Sequence, residues 1–364
     1  MKDTPELARL GYDQFFDESR ARLDVAVEQL ARVTAEHRGV YEVAGILGAF
    51  RAAVTGKRVL TAAGRDDFPA VGDWVVISSE SDGTKVITDI LPRKTALHKK
   101  RGGRDETRLI ATNVDVAFIV ESIDRDYSLN RFERYLVIAR EGGVTPVIVL
   151  NKSDLSSEGD IAKSIADIHE RFGDVPVLTT STIADSGLKD LAGYIEKGIT
   201  YCFLGSSGVG KSSLINRLLE QDSIATKSIS EKTGRGMHTT TSRAMYITET
   251  GGIIIDNPGS REVGVVGAHL GVEEVFVDIE AIARGCKFPD CTHTSEPGCA
   301  VIGALTTDTI NLAQFENYKK MKKEAEHRGL SMYARRKKEK KFGKFVKNAK
   351  SELKKFEADS IQDQ

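Results

Sequence analysis

The sequence predicts an α/β protein in three parts: a small closed β-barrel, a mostly parallel sheet with helices on its faces, and a helical module organised by a metal site. Three observations carry this. Between Gly39 and Leu97 the short β-rich runs "GVYEVAGIL", "AAVTG", "RVL", "DWVVIS" and "TKVITDILP" are broken by Gly, Asp and Ser turns. Between Asn113 and Gly259 the apolar runs "VDVAFIVES", "TPVIVLNKS", "VPVLTTS", "ITYCFLGSS" and "GGIIIDNPG" alternate with helical stretches such as "LNRFERYLVIAR" and "KSSLINRLLE". Beyond Gly271, Cys286, Cys291, His293 and Cys299 fall close together.

Taken in order, residues 1–38 read as a helical N-terminal extension, because "SRARLDVAVEQLARVTAEH" places apolar residues at helix-like spacing. Residues 39–97 read as a barrel of OB type, since strands this short must hide their edges. Residues 98–268 hold the parallel sheet and residues 269–330 the Cys/His module. Residues 331–364 form a basic tail: from Ser331 to Lys350 there are nine Lys or Arg and one acidic residue. The net charge of -1 conceals that asymmetry, which suits contact with a polyphosphate.

At 364 residues, with 40% hydrophobic and 29% charged residues, the chain has the composition of a soluble protein with two or three domains. Its N-terminus, "MKDTPELARLGYDQFF", lacks the apolar core and cleavage site of a secretory signal, and no run reaches the roughly 18 apolar residues of a spanning helix. A cytoplasmic protein without a membrane partner is expected. In a reducing compartment, clustered cysteines favour a metal over disulfides, while Cys202, alone in an apolar strand, reads as a buried thiol.

The strongest chemical signal is "GSSGVGKS". Gly205, Ser206, Ser207, Gly208, Val209, Gly210, Lys211 and Ser212 match GxxxxGKS between a strand and an amphipathic helix that continues with Ser213. Glycines let the backbone wrap phosphate oxygens, the amides and helix N-terminus attract the anion, Lys211 adds mobile charge, and the Ser212 hydroxyl can bind Mg²⁺.

Upstream lies "NKSD", Asn151, Lys152, Ser153 and Asp154, at the end of a strand, where ligand-facing residues of a parallel sheet belong. An NKxD carboxylate such as Asp154 accepts from the ring N–H and exocyclic amine of guanine, a pairing that adenine does not offer. Asn151 then secures the loop and the Lys152 stem packs along the base. Ser181 and Thr182, after the next strand, can stand against the base. Downstream, Asp256 begins "DNPG", DxPG, in which the carboxylate can hold a Mg²⁺-bound water and the Gly259 amide can face the γ-phosphate of GTP. Between them "TGRGMHTTTS", residues 233 to 242, suits a switch that orders when a Thr hydroxyl reaches Mg²⁺. Thr240 is favoured, although spacing does not separate it from Thr239 or Thr241. His238 in the same loop can orient or deprotonate the attacking water, since Ser260 stands where many GTPases carry a glutamine.

All the pieces of one GTPase are therefore present in the order base reading, base support, phosphate loop, switch, γ-sensor. That order is a circular permutation, which leaves the site intact because every piece sits on a loop at one sheet edge. The spacing C-x4-C-x-H-x5-C suits one closed tetrahedral Zn²⁺ of structural type. A barrel, a metal module and a basic tail around a GTPase point to structured RNA.

This ensemble resembles the circularly permuted, ribosome small-subunit-dependent GTPases, the RsgA/YjeQ family. The resemblance rests on "PAVGDWV", "ATNVDVAFIV", "NKSD", "GSSGVGKSSLIN", "GRGMHTTT", "DNPGSRE" and "CKFPDCTHTSEPGCAV", in that order from Gly39 onward. It implies an OB-fold, a permuted GTPase domain and a zinc domain, and late maturation of the small (30S) ribosomal subunit. It further implies binding in the GTP state, hydrolysis to GDP on stimulation, Zn²⁺ on Cys286, Cys291, His293 and Cys299, and His238 at the position proposed to assist hydrolysis. A monomer is expected. Met237 and Ser260 depart from the family's residues and bear on the rate and trigger of hydrolysis. The reading from another class is a GTP-gated RNA-binding module with incidental turnover.

Overall fold

The computed structural model describes residues 5–37, 39–62, 65–81, 83–100, 107–124, 127–221, 243–256 and 268–326. The switch expected at 233 to 242, with Met237, His238 and Thr239 to Thr241, lies outside these residues, as do Gly259, Ser260 and the basic tail.

The barrel has five strands, β1 (Leu30–His37), β2 (Val40–Gly45), β3 (Gly48–Val54), β4 (Trp74–Ser79) and β5 (Lys85–Ile90). β1 pairs with β2, β2 with β3, β3 with β5, β5 with β4, and β4 with β1, so the sheet closes and no edge is left. Two expectations are corrected. The helical extension to residue 38 ends at Arg22, and Leu30–His37 is the first barrel strand. Its first six residues are all buried, so both faces of the strand are covered and the period of two is hidden. The run "RVL", expected as a strand, lies in a helix, Gly56–Thr61, capped by the Thr55 hydroxyl on the Arg58 amide. A separate hairpin, β6 (Ala96–Lys100) with β7 (Thr107–Thr112), leads from barrel to sheet domain.

The sheet domain is built on β8 (Val116–Ser122), β9 (Thr145–Asn151), β10 (Val177–Thr180), β11 (Thr200–Leu204), β12 (Ala244–Ile247) and β13 (Ile253–Asp256). Their spatial order is β10-β9-β8-β11-β13-β12, parallel except for β12. Both faces are buried. Ala117, Ile119, Ile148, Leu150 and Cys202 join one core, and Phe118, Val120, Val147, Val149 and Phe203 join the other. The chain starts at β8, moves outward through β9 and β10, returns to the centre at β11, and then moves the opposite way. The reversal between β8 and β11 is a topological switch point, where a parallel sheet opens a crevice beyond its strand ends.

Barrel and sheet are joined at β1 and β12 through the pair Ala35 and Ala244. Arg32 of β1 is buried at that seam, donating to the carbonyls of Leu10, Gly72 and Asn113 and to the Thr200 hydroxyl. The Cys/His module follows as helices His269–Val275, Val277–Ala283, Ala300–Thr306 and Leu312–Glu326. Its first helix meets the helix Leu129–Glu141 so closely that a Cβ on Gly271 would stand 2.2 Å from the Val137 carbonyl oxygen.

Candidate functional site

The loop after β11 turns through Gly205, Gly208 and Gly210, all at positive φ. A Cβ at Gly210 would lie 2.2 Å from Asn151 Nδ2, and one at Gly205 would lie 2.1 Å from the Val120 carbonyl oxygen. The loop therefore nests against the ends of β8 and β9. Val209 is buried, with Leu214, Ile215 and Leu218, beneath the helix Lys211–Gln221. Ser207, Gly208, Ser212 and Ser213 remain exposed, Ser206, Gly210 and Lys211 half-buried. The helix's first amides, which lack partners inside the helix, sit beside this exposed rim, a disposition of donors that suits an anion.

Lys211 Nζ donates to the carbonyl oxygens of Gly205 at 2.8 Å and Ser206 at 2.5 Å. Burial lowers its pKa to about 8, while the charges of Glu121 and Asp256 act to raise it. It remains mainly cationic at neutral pH. Asp256, at the end of β13, is pushed above the ordinary carboxylate value by burial, with Lys211 opposing. Lys211 thus feels two carboxylates, buried Glu121 behind the loop and Asp256 at the end of β13.

Asn151 ends β9 and is buried. Its Nδ2 donates to the Val209 carbonyl at 2.8 Å, and its Oδ1 accepts from the Thr180 hydroxyl at 3.0 Å. Lys152 takes a left-handed conformation, φ 63°, and its Nζ reaches Asp124 at 3.0 Å. Ser122 donates to the other oxygen of Asp124 at 2.9 Å. Asp154 is exposed and accepts a hydrogen bond from the Ser181 hydroxyl, which itself accepts from the amides of Ile183 and Ala184 at 3.2 and 2.9 Å. Ser153 Oγ lies 3.5 Å from Ser186 Oγ, and Thr182 is half-buried beside Ser181. Asn151 through Asp154, Ser181 and Thr182 therefore gather at the C-terminal ends of β9 and β10, with Asn151 bonded directly to the glycine loop. Sequence reading missed Thr180 and Asp124, which orient Asn151 and Lys152. It also missed Glu121, a buried carboxylate near the end of the apolar run "VDVAFIVES".

In the Cys/His module the four ligand atoms of Cys286, Cys291, His293 and Cys299 lie within 4.8 Å of one another. Cys286 Sγ stands 3.8 Å from Cys299 Sγ, and His293 Nδ1 stands 3.6 and 3.4 Å from those two sulfurs. The edges of a tetrahedron with metal–sulfur bonds of about 2.3 Å and metal–nitrogen bonds of about 2.0 Å are about 3.8 and 3.5 Å. The cluster fits a tetrahedral ion and excludes a disulfide at that sulfur separation. His293 reaches inward through a left-handed backbone, φ 55°, and Cys299 Sγ accepts the Ile302 amide at 3.4 Å. Burial would raise the Cys286 thiol, but hydrogen bonds from the amides of Val301 and Ala300 and from the Cys299 and Cys291 thiols together lower its pKa, favouring the thiolate that binds metal.

Residues 90–266 match the RsgA GTPase family. The chain is 43% identical over 302 residues to the small ribosomal subunit biogenesis GTPase RsgA 2 of Lactiplantibacillus plantarum, covering 83% of this chain and 85% of that one. It is 37% identical over 357 residues to the protein of the same name from Vibrio parahaemolyticus, covering 96% and 94%. Among solved structures, YjeQ from Thermotoga maritima matches with a TM-score of 0.57 and 28% identity, over 82% of this chain and 98% of that one. YloQ, described as a circularly permuted GTPase, matches with a TM-score of 0.56 and 25% identity, over 82% and 94%. No helix among the described residues is long and apolar enough to cross a membrane.

Proposed function

The chain belongs to the RsgA GTPase family, and on that premise we propose that it hydrolyses GTP to GDP and phosphate as a cytoplasmic, monomeric assembly factor of the small ribosomal subunit. The observation that carries this reading is the hydrogen bond from Asn151 to the Val209 carbonyl. It unites a guanine-reading strand and a phosphate loop that occur in inverted order along the chain, so both motifs address one ligand.

In this reading Asp154 and Ser181 face the base edge, with Asp154 accepting from guanine. Lys152, held by Asp124, and Thr182 flank the ring, while Ser153 shapes the turn. The amides from Ser206 to Ser213 and the Lys211 ammonium take the phosphates, and this positive charge stabilises the γ-phosphoryl group as it transfers. Mg²⁺ entering with GTP would neutralise phosphate charge. The donors that fit it are hard oxygens: the exposed Ser212 hydroxyl at the helix start, Thr240, and Asp256 through water. Gly259 is assigned to the γ-phosphate and His238 to orienting the attacking water, both from the sequence. The Cys/His ion is assigned as one structural Zn²⁺, because three thiolates and one imidazole leave no open position.

The barrel, the Cys/His module and the basic tail are assigned to ribosomal RNA and proteins, since backbone-directed RNA contact needs cationic and shape-complementary surface. The test is the GTPase rate with and without purified small subunits. Strong stimulation by the small subunit and not the large one is expected. Equal rates, with RNA binding indifferent to nucleotide, would overturn the assembly-factor reading. Single-turnover hydrolysis by His238→Ala should fall at unchanged GTP affinity; an unchanged rate removes His238 from the mechanism.

A further inference from the structure

Glu121 is the seam between the phosphate loop and the core, and it is an unusual residue to find there. β8 alternates its side chains between two cores, and Ala117 and Ile119 place the odd-numbered positions against the helix Leu129–Glu141. Glu121 is next in that series, where an aliphatic side chain would continue the core, and it is 0% exposed. Its register neighbour on β9 is Leu150. Oε1 accepts from the Ser206 hydroxyl at 3.4 Å, and Oε2 accepts no hydrogen bond among the described residues. Arg131 Nε, from the adjacent helix, stands 3.7 Å from Oε2, and Tyr135 of that helix reaches Ser206 Oγ at 3.4 Å. The charged and titratable groups facing Glu121 are therefore Arg131 and Tyr135 from the helix and Lys211 from the loop, with Asp256 acting on Lys211 from β13.

We propose that Glu121 is a positioning residue of the phosphate site, a buried negative charge behind the loop that opposes the phosphates of the bound nucleotide and takes up a proton when they arrive. The inference rests on the reading of this loop as a guanine-nucleotide site. Two electrostatic effects compete. The ionised carboxylate repels the anionic nucleotide, and it also supports the positive charge of Lys211. Repulsion wins, because the Lys211 ammonium is already held by the Gly205 and Ser206 carbonyls, whereas the repulsion acts on the net negative charge left on the Mg²⁺-bound nucleotide in a poorly screened interior.

Burial raises the Glu121 pKa to about 7, against the lowering influence of Arg131, Ser206 and Lys211. Its charge is thus set within the neutral range, and a nearby anion favours the protonated form. Nucleotide affinity should then fall as pH rises through 7, with the fall assigned to this one carboxylate. Lys211 and the nucleotide's own phosphate also titrate, but both are present in a Glu121→Gln variant, so the difference between the two proteins isolates Glu121.

The experiment is binding of Mg²⁺–GDP from pH 5.5 to 8.5, in the full chain, for wild type, Glu121→Gln and Glu121→Asp. Glu121→Gln is expected to bind on the order of tenfold tighter at pH 8.5 and within about twofold of wild type at pH 5.5. Glu121→Asp, which can still ionise, should retain a pH-dependent step. Calorimetry in buffers of different ionisation heat should show proton uptake on binding near pH 7 by wild type and less by Glu121→Gln. A merely structural role would move none of this, because glutamine keeps the shape and the bond from Ser206. Wild-type and Glu121→Gln affinity curves that run parallel across the range would overturn the inference while leaving the nucleotide site intact. Absence of guanine-nucleotide binding by wild type at every pH would overturn the site reading and this inference with it. Folding is checked by the melting temperature of Glu121→Gln, expected at or above that of wild type at pH 8 because a poorly paired buried charge is gone.

Discussion

Asn151 and Val209 are 58 residues apart in sequence and joined by a 2.8 Å hydrogen bond from the Asn151 amide to the Val209 carbonyl. Asn151 is buried, so this bond fastens the end of β9 to the glycine loop without competition from water. Replacing Asn151 by alanine leaves the Val209 carbonyl and the Thr180 hydroxyl without that partner. The cost is about 1–3 kcal/mol for each buried group left unsatisfied. Asn151→Ala should therefore lower the melting temperature and weaken guanine-nucleotide binding by at least about tenfold. Thermal melting and nucleotide titration check the two effects together, and loss of stability with unchanged affinity would show that the bond does not shape the site.

Asp154 is held by the Ser181 hydroxyl, whose oxygen is itself fixed by the Ile183 and Ala184 amides. The carboxylate is thereby aimed rather than free to rotate. An Asp154→Asn side chain offers one acceptor and one donor in the same place. It matches xanthine, which keeps the ring N–H and presents a carbonyl where guanine has an amine. GTP affinity should fall by about a hundredfold or more, and xanthosine triphosphate should gain, since each charge-assisted hydrogen bond contributes about 1.5–3 kcal/mol. Competition binding with the two nucleotides on both proteins reads the exchange.

Glu296 organises the loop between Cys291 and Cys299. Its carboxylate accepts from the amides of Thr292, Thr294 and Ser295 at 2.8, 2.9 and 3.1 Å, and from the Thr292 hydroxyl. Those bonds hold its pKa far below the ordinary carboxylate value, so it is ionised throughout the working range. Glu296→Ala removes the acceptor that shapes the turn carrying His293. Metal affinity should fall about 10–100-fold with the four ligands intact. Metal analysis of wild type should give one zinc per chain, and chelator challenge of Glu296→Ala should release it at lower chelator concentration.

Much of the architecture was legible because its signals are local. A glycine loop after an apolar strand and before Lys211 has one common use, and "NKSD" gains meaning from ending a strand. The spacing around His293 anticipated a cluster that the backbone closes through a left-handed residue. The first barrel strand was not legible, because residues 30–35 are buried on both faces and include Arg32 bonded internally to four partners, which destroys the alternation that marks a strand. Nor was Glu121 legible as part of the site. A carboxylate at a strand end reads as solvent-facing until the helix Leu129–Glu141 is seen to cover it.

That same helix also binds the Cys/His module. Glu133 is 0% exposed and accepts from Arg171 Nε at 2.6 Å and from the Asn317 amide, which also reaches the Asn130 carbonyl at 3.3 Å. Arg134 and Glu324 form a two-bond pair beside it at 2.9 and 3.1 Å, but both remain partly exposed. Burial alone would make the Glu133 carboxylate unfavourable, and it raises the pKa; Asn317 and Arg171 oppose that rise. Removing the acceptor strands the buried ends of both partners, so Glu133→Ala should destabilise by about 3–5 kcal/mol, whereas Arg134→Ala, breaking a pair in contact with water, should cost about 1 kcal/mol or less. Glu133→Gln, which keeps one acceptor for Arg171 or Asn317, should fall between. Because Asn317 belongs to the last helix of the module, Glu133→Ala should also loosen that helix, read as faster amide exchange across Leu312–Glu326 than in Arg134→Ala. Equal exchange in the two variants would assign the contact between GTPase domain and module to apolar packing around Val137, Phe276 and Tyr318 instead.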